Sequence, residues 1–375
     1  MRSTRPAVPQ ISRILVDGEP LPVRSASTAD DGFRHLFIPS TGEYPVYDEA
    51  AYQFMLNDRV RSQTYERAVA AAAPGQTVLD IGTGQDAVWA IHSARAGARK
   101  VYAVERIPEA AEKARRTVAE AGFADVIEVV EGESMSLELP EPIDVSISEI
   151  IGTIGGSEGA AAVLDDVRRR LLRPGGLAVP HHSVTTIAAV DLWRVVDVAK
   201  IGFEAQLLHY VENIFGAVGK PFDVRVCLNS LREAAAVSEW GEVEYLDYQG
   251  VDNERGSDHR TLTVTREGAV HGLALGLRLT VTPQLQVIDS IAQYTSWLPV
   301  FAPLFSEGVP VRPGDRIELD FSWQPSSDGI HPDYRITGEI RRSAGAPVAF
   351  RWDSPHHDAP FRAGDFYRYL FPESF

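Results

Sequence analysis

Strand-like and helix-like segments alternate between residues 77 and 172, and this alternation constrains the fold more than any other feature of the chain. Short apolar runs predict strands, and helical spacing of apolar residues predicts helices between most of them. Such alternation is typical of βαβ units, which build a parallel sheet. The predicted strands are residues 77–81, 100–105, 126–131 and 143–149.

Two further features frame this α/β block. Helical spacing runs through residues 48–73 and ends at Pro74 and Gly75. Residues 1–30 contain four prolines and a polar stretch, which predict an irregular or partly strand-like extension. At the other end, Pro174 lies in a predicted turn over residues 173–176, which closes the block near residue 180.

Beyond residue 180 the pattern changes to short alternating segments separated by Gly, Pro and Asp turns. This pattern of short segments and turns predicts an antiparallel sandwich or barrel. A more helical insert, rich in aromatic residues and Leu, covers residues 193–231, and an aromatic segment at residues 366–371 is predicted to pack on the barrel. The predicted strands of this half are residues 184–190, 260–264, 274–282, 316–323 and 334–341.

Composition excludes several classes of protein. The 375 residues carry a formal net charge of −16, which argues against a protein that binds the phosphate backbone of nucleic acids. The same charge is compatible with a cationic partner. Cys227 is the single cysteine, so an intrachain disulfide and a cysteine-based zinc site are excluded. No apolar run is long enough for a membrane span or a signal peptide, so we expect a soluble cytoplasmic protein without a membrane or nucleic-acid partner.

A glycine-containing segment at residues 78–84 (VLDIGTG) is predicted to end one strand and open a helix. Gly82 and Gly84 would let the backbone approach a ligand, and Glu105, at the end of the next strand, suits ribose hydroxyls. Asp80 favours a ligand with a cationic amino acid end, namely S-adenosylmethionine. A dinucleotide, or a turn that needs glycine for its geometry alone, also fits this segment.

Two carboxylates lie nine residues apart after the strand that begins at residue 143. Glu149 ends the strand, and the glycine-rich segment that follows leads to Glu158. Both can converge at the edge of the sheet where α/β proteins bind ligands. Such a pair serves in acid–base catalysis, metal ligation or the clamping of a guanidinium. For Glu158, capping of the next helix is the alternative.

The chain resembles the protein arginine methyltransferase family over about residues 44–320. Each matching segment has a counterpart in a family motif. Residues 52–65 (YQFMLNDRVRSQTY) are similar to the N-terminal helix, 78–84 and 101–105 to the donor-binding motifs, 148–158 to the double-glutamate loop, 172–180 to the strand entering the barrel, and 294–297 (YTSW) to the Thr-His-Trp loop.

This resemblance implies a Rossmann-like methyltransferase sheet followed by a mostly antiparallel β-barrel domain with a helical dimerisation-arm insert. The implied division is an extension at residues 1–43, a donor-binding domain at 44–180 and a barrel domain at 181–375. The implied activity is methyl transfer from S-adenosylmethionine to a guanidino nitrogen. The implied assembly is a homodimer formed through the insert at about residues 193–231.

Roles for individual residues also come from the resemblance. Glu149 and Glu158 would clamp the substrate guanidinium, and Arg61 would pair with the carboxylate of the donor. The implied donor-binding residues are Met55, Arg61, Asp80, Gly82, Gly84, Glu105, Glu133 and Ser134. The implied substrate-binding residues are Tyr47, Tyr52, Ser296 and Trp297.

Four positions depart from the family pattern. Asp86 replaces the third glycine of the donor loop, and Met135 stands where the family has an adenine-contacting glutamate. Ser296 replaces the loop histidine, so we expect the family's partnership between that histidine and Asp58 to be lost. Ala160 replaces a bulky methionine that often restricts the space for the methylated product. The sequence therefore does not distinguish between a monomethylated and a dimethylated product.

Three substrate classes stay open at this point: a protein arginine, free arginine and a related small metabolite. The Ala- and Arg-rich composition is typical of a GC-rich bacterial genome and favours the small molecule. A degenerate scaffold that binds the donor without catalysis, and a nicotinamide oxidoreductase, are the competing functional classes. No metal site is predicted, because the adjacent pairs His181–His182 and His356–His357 are interpreted as surface residues in turns.

Overall fold

The computed structural model describes residues 10–26, 36–44, 46–197, 201–250 and 252–375. The predicted extension at residues 1–30 lies partly outside these described residues. The helices are α1 Glu49–Leu56, α2 Arg59–Ala72, α3 Val88–Arg95, α4 Pro108–Glu120, α5 Ala160–Arg170, α6 Leu208–Val218 and α7 Asp365–Leu370.

In the described residues, the strands divide between a five-stranded parallel sheet and three mainly antiparallel sheets of ten, four and two strands. They are β1 Gln10–Val16, β2 Glu19–Ala26, β3 Leu36–Pro39, β4 Thr77–Ile81, β5 Lys100–Glu105, β6 Ile127–Glu131, β7 Ile143–Ser148, β8 Leu172–Val179, β9 His182–Val190, β10 Gly202–Glu204, β11 Val226–Cys227, β12 Gly241–Asp247, β13 Gly256–Thr263, β14 Gly268–Val270, β15 Gly272–Thr280, β16 Ile288–Asp289, β17 Val300–Pro303, β18 Val309–Val311, β19 Arg316–Pro325, β20 Pro332–Arg341 and β21 Val348–Ser354.

The predicted parallel sheet is confirmed. In the described residues it runs in the order β6-β5-β4-β7-β8, and α2, α3, α4 and α5 supply apolar faces that pack with its strands in the core. Its central strand β4 is buried along its whole length, as parallel strands covered on both faces are. The carboxyl ends of β4, β5 and β7 therefore meet at one edge, where the glycine segment and the two carboxylates also lie.

The turn predicted at residues 173–176 is wrong. These residues belong to β8, which pairs in parallel with β7 at the end of the sheet. The pairing shifts register between Ile143 and Val145, and Gly175 adopts a left-handed φ of 76° there. An edge strand with an irregular register tolerates Pro174 and Gly175, so these turn-forming residues do not end the strand.

The predicted antiparallel half is confirmed. In the described part of the chain, the largest sheet runs in the order β1-β2-β10-β3-β11-β17-β15-β9-β12, with β16 paired to β15. A second sheet, β13-β19-β20-β21, contains the predicted strands at residues 316–323 and 334–341. The hairpin of β1 and β2 joins the first sheet, so this part of the N-terminal extension is strand rather than irregular chain.

The helical stretch predicted over residues 48–73 is two helices. Asp58 ends the continuity because its carboxylate caps α2, accepting a hydrogen bond from the backbone N of Arg61 at 2.9 Å. Capping by an aspartate satisfies one of the free N–H groups in the first turn of a helix.

The insert contains α6, with Tyr210, Val211, Ile214 and Phe215 buried in the apolar core of its own chain. The prediction that the aromatic C-terminal segment packs on the barrel half is confirmed, because Tyr367 of α7 lies in the same core. None of the helices in the described residues is long and apolar enough to cross a membrane.

Candidate active site

A cavity of about 220 Å³ opens at the carboxyl edge of the parallel sheet. Open α/β sheets bind ligands in this position. Most of the predicted donor-binding residues line it. They are Met55, Arg61, Gly82, Gly84, Glu105, Glu133 and Ser134, and we refer to this space as the donor cavity.

The loop after β4 forms one wall of the donor cavity. Gly82 and Gly84 have φ values of 67° and 66°, a conformation that favours glycine. Glu105 secures the loop by accepting hydrogen bonds from the backbone N of Gly84 at 2.9 Å and of Ile107 at 2.8 Å. A side chain at position 84 would meet the ring of Tyr52 at 3.2 Å, so glycine keeps this wall flat.

Asp80 differs from the other predicted donor-binding residues because it does not line the cavity. Its side chain is fully buried beneath the loop, where it accepts a hydrogen bond from Thr83 Oγ1 at 2.6 Å. Burial raises the pKa of Asp80 to about 7, against the lowering effect of this hydrogen bond. The structure therefore gives Asp80 the position of a loop support rather than of a ligand contact.

The two carboxylates of the double-glutamate segment do converge. Arg61 Nη2 donates to Glu149 Oε2, and Arg61 Nη1 donates to the carbonyl of Met55 at 2.9 Å. Glu158 lies against the backbone of Gly42, so closely that a Cβ at that position would overlap its carboxylate. Arg61 therefore links α1 and α2 to the glutamate pair, and Gly42 makes room for the second glutamate.

Glu158 has a strongly perturbed acidity. Burial raises the pKa of its carboxyl to about 8, and the negative charge of Glu149 adds to this rise. Arg61 and a hydrogen bond from Tyr47 oppose it without cancelling it. Carboxyl groups with strongly shifted pKa values in a cleft occur at functional sites more often than expected by chance, because burying such a group lowers the stability of the fold.

A second cavity, of about 320 Å³, adjoins the donor cavity. Both cavities share the same small set of wall residues, namely Gly42, Tyr47, Met55, Glu149 and Glu158. Of the predicted substrate-binding residues, Tyr47, Ser296 and Trp297 line this second cavity, whereas Tyr52 lines only the donor cavity. We refer to the second space as the substrate cavity.

The loop of residues 294–297 is tied to both halves of the site. Trp297 Nε1 donates to the carbonyl of Ile151 at 2.5 Å, which anchors the start of the double-glutamate loop. Ser296 contacts Asp58 Oδ2 with its backbone N at 2.6 Å and with its Oγ at 3.1 Å. The histidine partnership is absent as expected, but Ser296 retains a connection to Asp58 through these two hydrogen bonds.

Glu133 and Ser134 lie at the far end of the donor cavity. Arg170 of α5 supports this segment by donating to the carbonyls of Ser134 and Met135, each at 3.1 Å. Asp86, which replaces the third glycine, also lines the donor cavity, and burial raises the pKa of its carboxyl. Its side chain therefore occupies the rim of the cavity.

Sequence reasoning missed Glu244, a fully buried carboxylate beneath the double-glutamate loop. Glu244 accepts hydrogen bonds from Thr185 Oγ1 at 2.5 Å, Tyr334 OH at 2.6 Å and the backbone N of Gly156 at 3.4 Å. Burial raises its pKa to about 7. The sequence carried no local signal for this burial, because the alternation of residues 242–245 assigns Glu244 to the same exposed face as Glu242.

Known proteins match this chain at the level of both sequence and fold. The family described as PRMT5 arginine-N-methyltransferase matches residues 33–179. The arginine N(omega)-methyltransferase of Streptomyces achromogenes subsp. streptozoticus is 31% identical over 284 residues, which are 72% of this chain and 74% of that protein. This chain belongs to the arginine N-methyltransferase family. The predicted family and enzyme class are therefore confirmed.

Further relatives of this arginine N-methyltransferase match over shorter stretches. Protein arginine N-methyltransferase PRMT10 of Arabidopsis thaliana is 41% identical over 139 residues, which are 36% of each chain. The solved open form of Arabidopsis thaliana protein arginine methyltransferase 10 has a TM-score of 0.66 at 22% identity and covers 84% of this chain and 98% of its own.

The Trypanosoma brucei PRMT1 enzyme-prozyme heterotetramer with AdoHcy has a TM-score of 0.63 at 20% identity, covering 81% of this chain and 98% of its own. Such likenesses establish the fold, a methyltransferase sheet joined to an antiparallel domain, which confirms the predicted fold class. Arginine methyltransferases of this family use S-adenosylmethionine, as predicted for this chain.

Proposed function

We propose that this protein methylates a terminal guanidino nitrogen of free arginine or of a closely related small molecule. The observation that carries the proposal is the position of Glu149 and Glu158 at the junction of the donor and substrate cavities. A group bound between the two carboxylates would face both spaces. The Streptomyces relative, named for arginine itself, supports a small substrate.

The donor cavity fits S-adenosylmethionine. The carboxylate of Glu105 beside the bare backbone of Gly84 suits a ribose, and Glu133 and Ser134 would border the adenine end. Met55 and Arg61 would border the methionine end, with the guanidinium of Arg61 suited to its carboxylate. When bound, S-adenosylmethionine supplies an electrophilic methyl group on a positively charged sulfur.

The glutamate pair performs two tasks in this proposal. Both carboxylates bind the substrate guanidinium through charge-assisted hydrogen bonds and orient one terminal nitrogen toward the donor cavity. Arg61, which now donates to Glu149, would leave this carboxylate free for the substrate by turning to the donor's carboxylate. The nitrogen loses a proton as it gains the methyl group, and Glu158, with its pKa near 8, is the residue suited to accept that proton.

The substrate cavity has a volume of about 320 Å³, near the lower end of the range for small-molecule sites, which favours a small ligand. Phe54 and Trp297 supply apolar surface, and Tyr210 supplies a hydroxyl bonded to Asp48. Protein arginine is the second candidate substrate, supported by relatives named protein arginine N-methyltransferases. Asp86 at the donor rim is the observation that favours a non-catalytic scaffold instead.

Calorimetric titration with S-adenosylmethionine, and then with arginine in the presence of S-adenosylhomocysteine, tests the proposal. We expect saturable donor binding, and arginine binding that weakens strongly in Glu158→Gln. Glu138→Gln, an exposed glutamate outside both cavities, is the matched control and should bind arginine as the unchanged protein does. Failure to bind the donor would overturn the enzymatic proposal and favour the scaffold.

We also propose a homodimer in which the insert contacts the partner. The support is the family resemblance of the insert and the oligomeric state named for the Trypanosoma neighbour. Because Tyr210 and Phe215 are buried within their own chain, the contact would use the opposite side of α6, which includes Asn213 and Ala217. Sedimentation analysis should give a dimer mass, and a monomer at micromolar concentration would refute this assembly.

A further inference from the structure

A cluster of imidazole and carboxylate groups lies beside the donor cavity, apart from the glutamate pair. Asp328 and His331 are in the turn that joins β19 to β20, and His356 and His357 directly follow β21. The prediction that the pair His356–His357 lies at the surface is wrong for His356, which is only 6% exposed. The fold therefore brings three histidines and an aspartate from two separate segments together.

The spacing of these groups suits a cation. The ligand atoms of Asp328, His356 and His357 all lie within 4.8 Å of one another, and His356 Nε2 is 3.8 Å from Asp328 Oδ2. Two ligands of a tetrahedral zinc ion, each about 2 Å from it, are separated by about 3.3 Å. Small side-chain rotations would therefore bring the three groups into a ligand set.

Neighbouring polar groups already contact Asp328 and His356. Asp328 Oδ1 accepts a hydrogen bond from the backbone N of Ile330 at 2.8 Å, so this oxygen stabilises the turn. The other oxygen, Asp328 Oδ2, lies 2.6 Å from His331 Nδ1. On the other side, Glu43 Oε2 is 3.5 Å from His356 Nδ1. A carboxylate behind a ligating histidine is the usual outer-shell partner in metal sites, because it fixes the ring and its tautomer.

The charge balance also favours a cation. Glu43 is paired with the buried guanidinium of Arg225, whereas Asp328 lies beside His331 and His356, which carry a positive charge only when protonated. A divalent cation would compensate the surplus negative charge.

We infer that Asp328, His356 and His357 form a binding site for a divalent transition metal of the Zn²⁺ class. Two imidazoles and one carboxylate are a ligand set that zinc accepts, with a fourth position left for water. The ion would connect the β19–β20 turn to the segment after β21. Since His331 and Glu43 both line the donor cavity, this connection would fix one wall of that cavity.

The test uses the full chain without a polyhistidine tag, stripped by chelation and titrated with Co²⁺ and then with Zn²⁺. We expect the visible absorption of tetrahedral Co²⁺ to saturate at one ion per chain, and Zn²⁺ to displace it. Asp328→Asn and His357→Gln should weaken Zn²⁺ binding by more than the roughly 10–100-fold cost of a lost outer-shell partner. Zn²⁺ should raise the Tm of the unchanged protein but not of these two variants.

His259→Gln is the matched control, since His259 is an exposed histidine whose Nδ1 lies 2.9 Å from Asp320, and the part of the chain that the structure describes offers no third ligand there. This variant should bind Co²⁺ as the unchanged protein does. Because His357 is only half-buried, its substitution should fold even if Asp328→Asn does not. Equal Co²⁺ binding by His357→Gln and His259→Gln, or no saturable site in the unchanged chain, would overturn the inference.

Discussion

At the scale of single residues, Glu158 combines the properties that the proposed chemistry requires. Its carboxyl is close to Glu149, is largely screened from water, and has a pKa of about 8. Without substrate, this carboxyl is therefore mostly protonated at neutral pH. A bound guanidinium would favour the charged form, so substrate binding and ionisation of Glu158 are linked.

The pH profile tests this linkage. The protonated form of Glu158 cannot clamp a guanidinium, so kcat/KM for arginine should fall as the pH decreases below about 8, the pKa of the free enzyme. The arginine guanidinium keeps its charge throughout this range and contributes no titration. A profile that is flat between about pH 6.5 and pH 9 would contradict the assignment.

Gly42 provides a second test at this scale. An alanine Cβ at position 42 would overlap the carboxylate of Glu158, so Gly42→Ala should displace that group. A displacement of about 1 Å can cost on the order of 100-fold in rate. We therefore expect kcat/KM to fall by about 10–100-fold with little change in Tm.

Gly364→Ala is the control for this substitution. Gly364 lies at the start of α7, outside both cavities, and has a φ of −101°, and a new Cβ there would meet nothing within 4 Å. It should leave activity unchanged and change the free energy of unfolding by no more than about 1 kcal/mol, as expected for alanine in place of glycine at an N-cap. Full activity of Gly42→Ala in a direct assay would show that the carboxylate of Glu158 need not occupy its present position.

At the scale of elements, the double-glutamate loop depends on a bulge in a distant strand. The pairing of β12 with β9 shifts register between Val243 and Tyr245, and Glu244 adopts a left-handed φ of 46° there. The bulge turns Glu244 inward, where it supports the loop at Gly156. Glu244 therefore positions the double-glutamate loop without contacting the substrate.

Glu244→Ala should lower the free energy of unfolding by about 1–3 kcal/mol, because Thr185 and Tyr334 lose their buried acceptor. It should also lower kcat more than it raises KM, and Glu244→Gln should restore part of the loss. Glu242, exposed on the same strand and paired with Arg278, gives the control substitution Glu242→Ala. Loss of stability with an unchanged kcat would limit Glu244 to a structural role.

Local signals in the sequence predict most elements but not their long-range contacts. The strands of the parallel sheet follow from apolar runs, and the break at Asp58 was readable in principle, since Asn-Asp before a helical run is a capping signal. The inward position of Glu244 was not readable, because alternation assigns residues to faces only where no bulge intervenes. The burial of His356 likewise depends on a turn contributed by residues 326–331.

At the scale of the whole molecule, the candidate site is formed where the two halves of the chain meet. The parallel sheet supplies Glu149 and the donor loop, while residues 294–297 and Glu244 come from the antiparallel half. Most of the residues expected from the family motifs line the two cavities at this junction, but the motifs did not indicate Glu244. They did not predict that Arg61 donates to Glu149 or that Asp80 lies beneath the loop, since both depend on packing.

In the proposed reaction, Glu149 and Glu158 hold the guanidinium of a small arginine-type substrate during methyl transfer. The most direct measurement is transfer of labelled methyl from S-adenosylmethionine to free arginine and, separately, to an arginine-rich peptide, with Glu149→Gln beside the unchanged protein. We predict labelled arginine in preference to peptide, and a loss of at least about 100-fold in Glu149→Gln. Full activity of Glu149→Gln on either substrate would contradict this role of the glutamate pair.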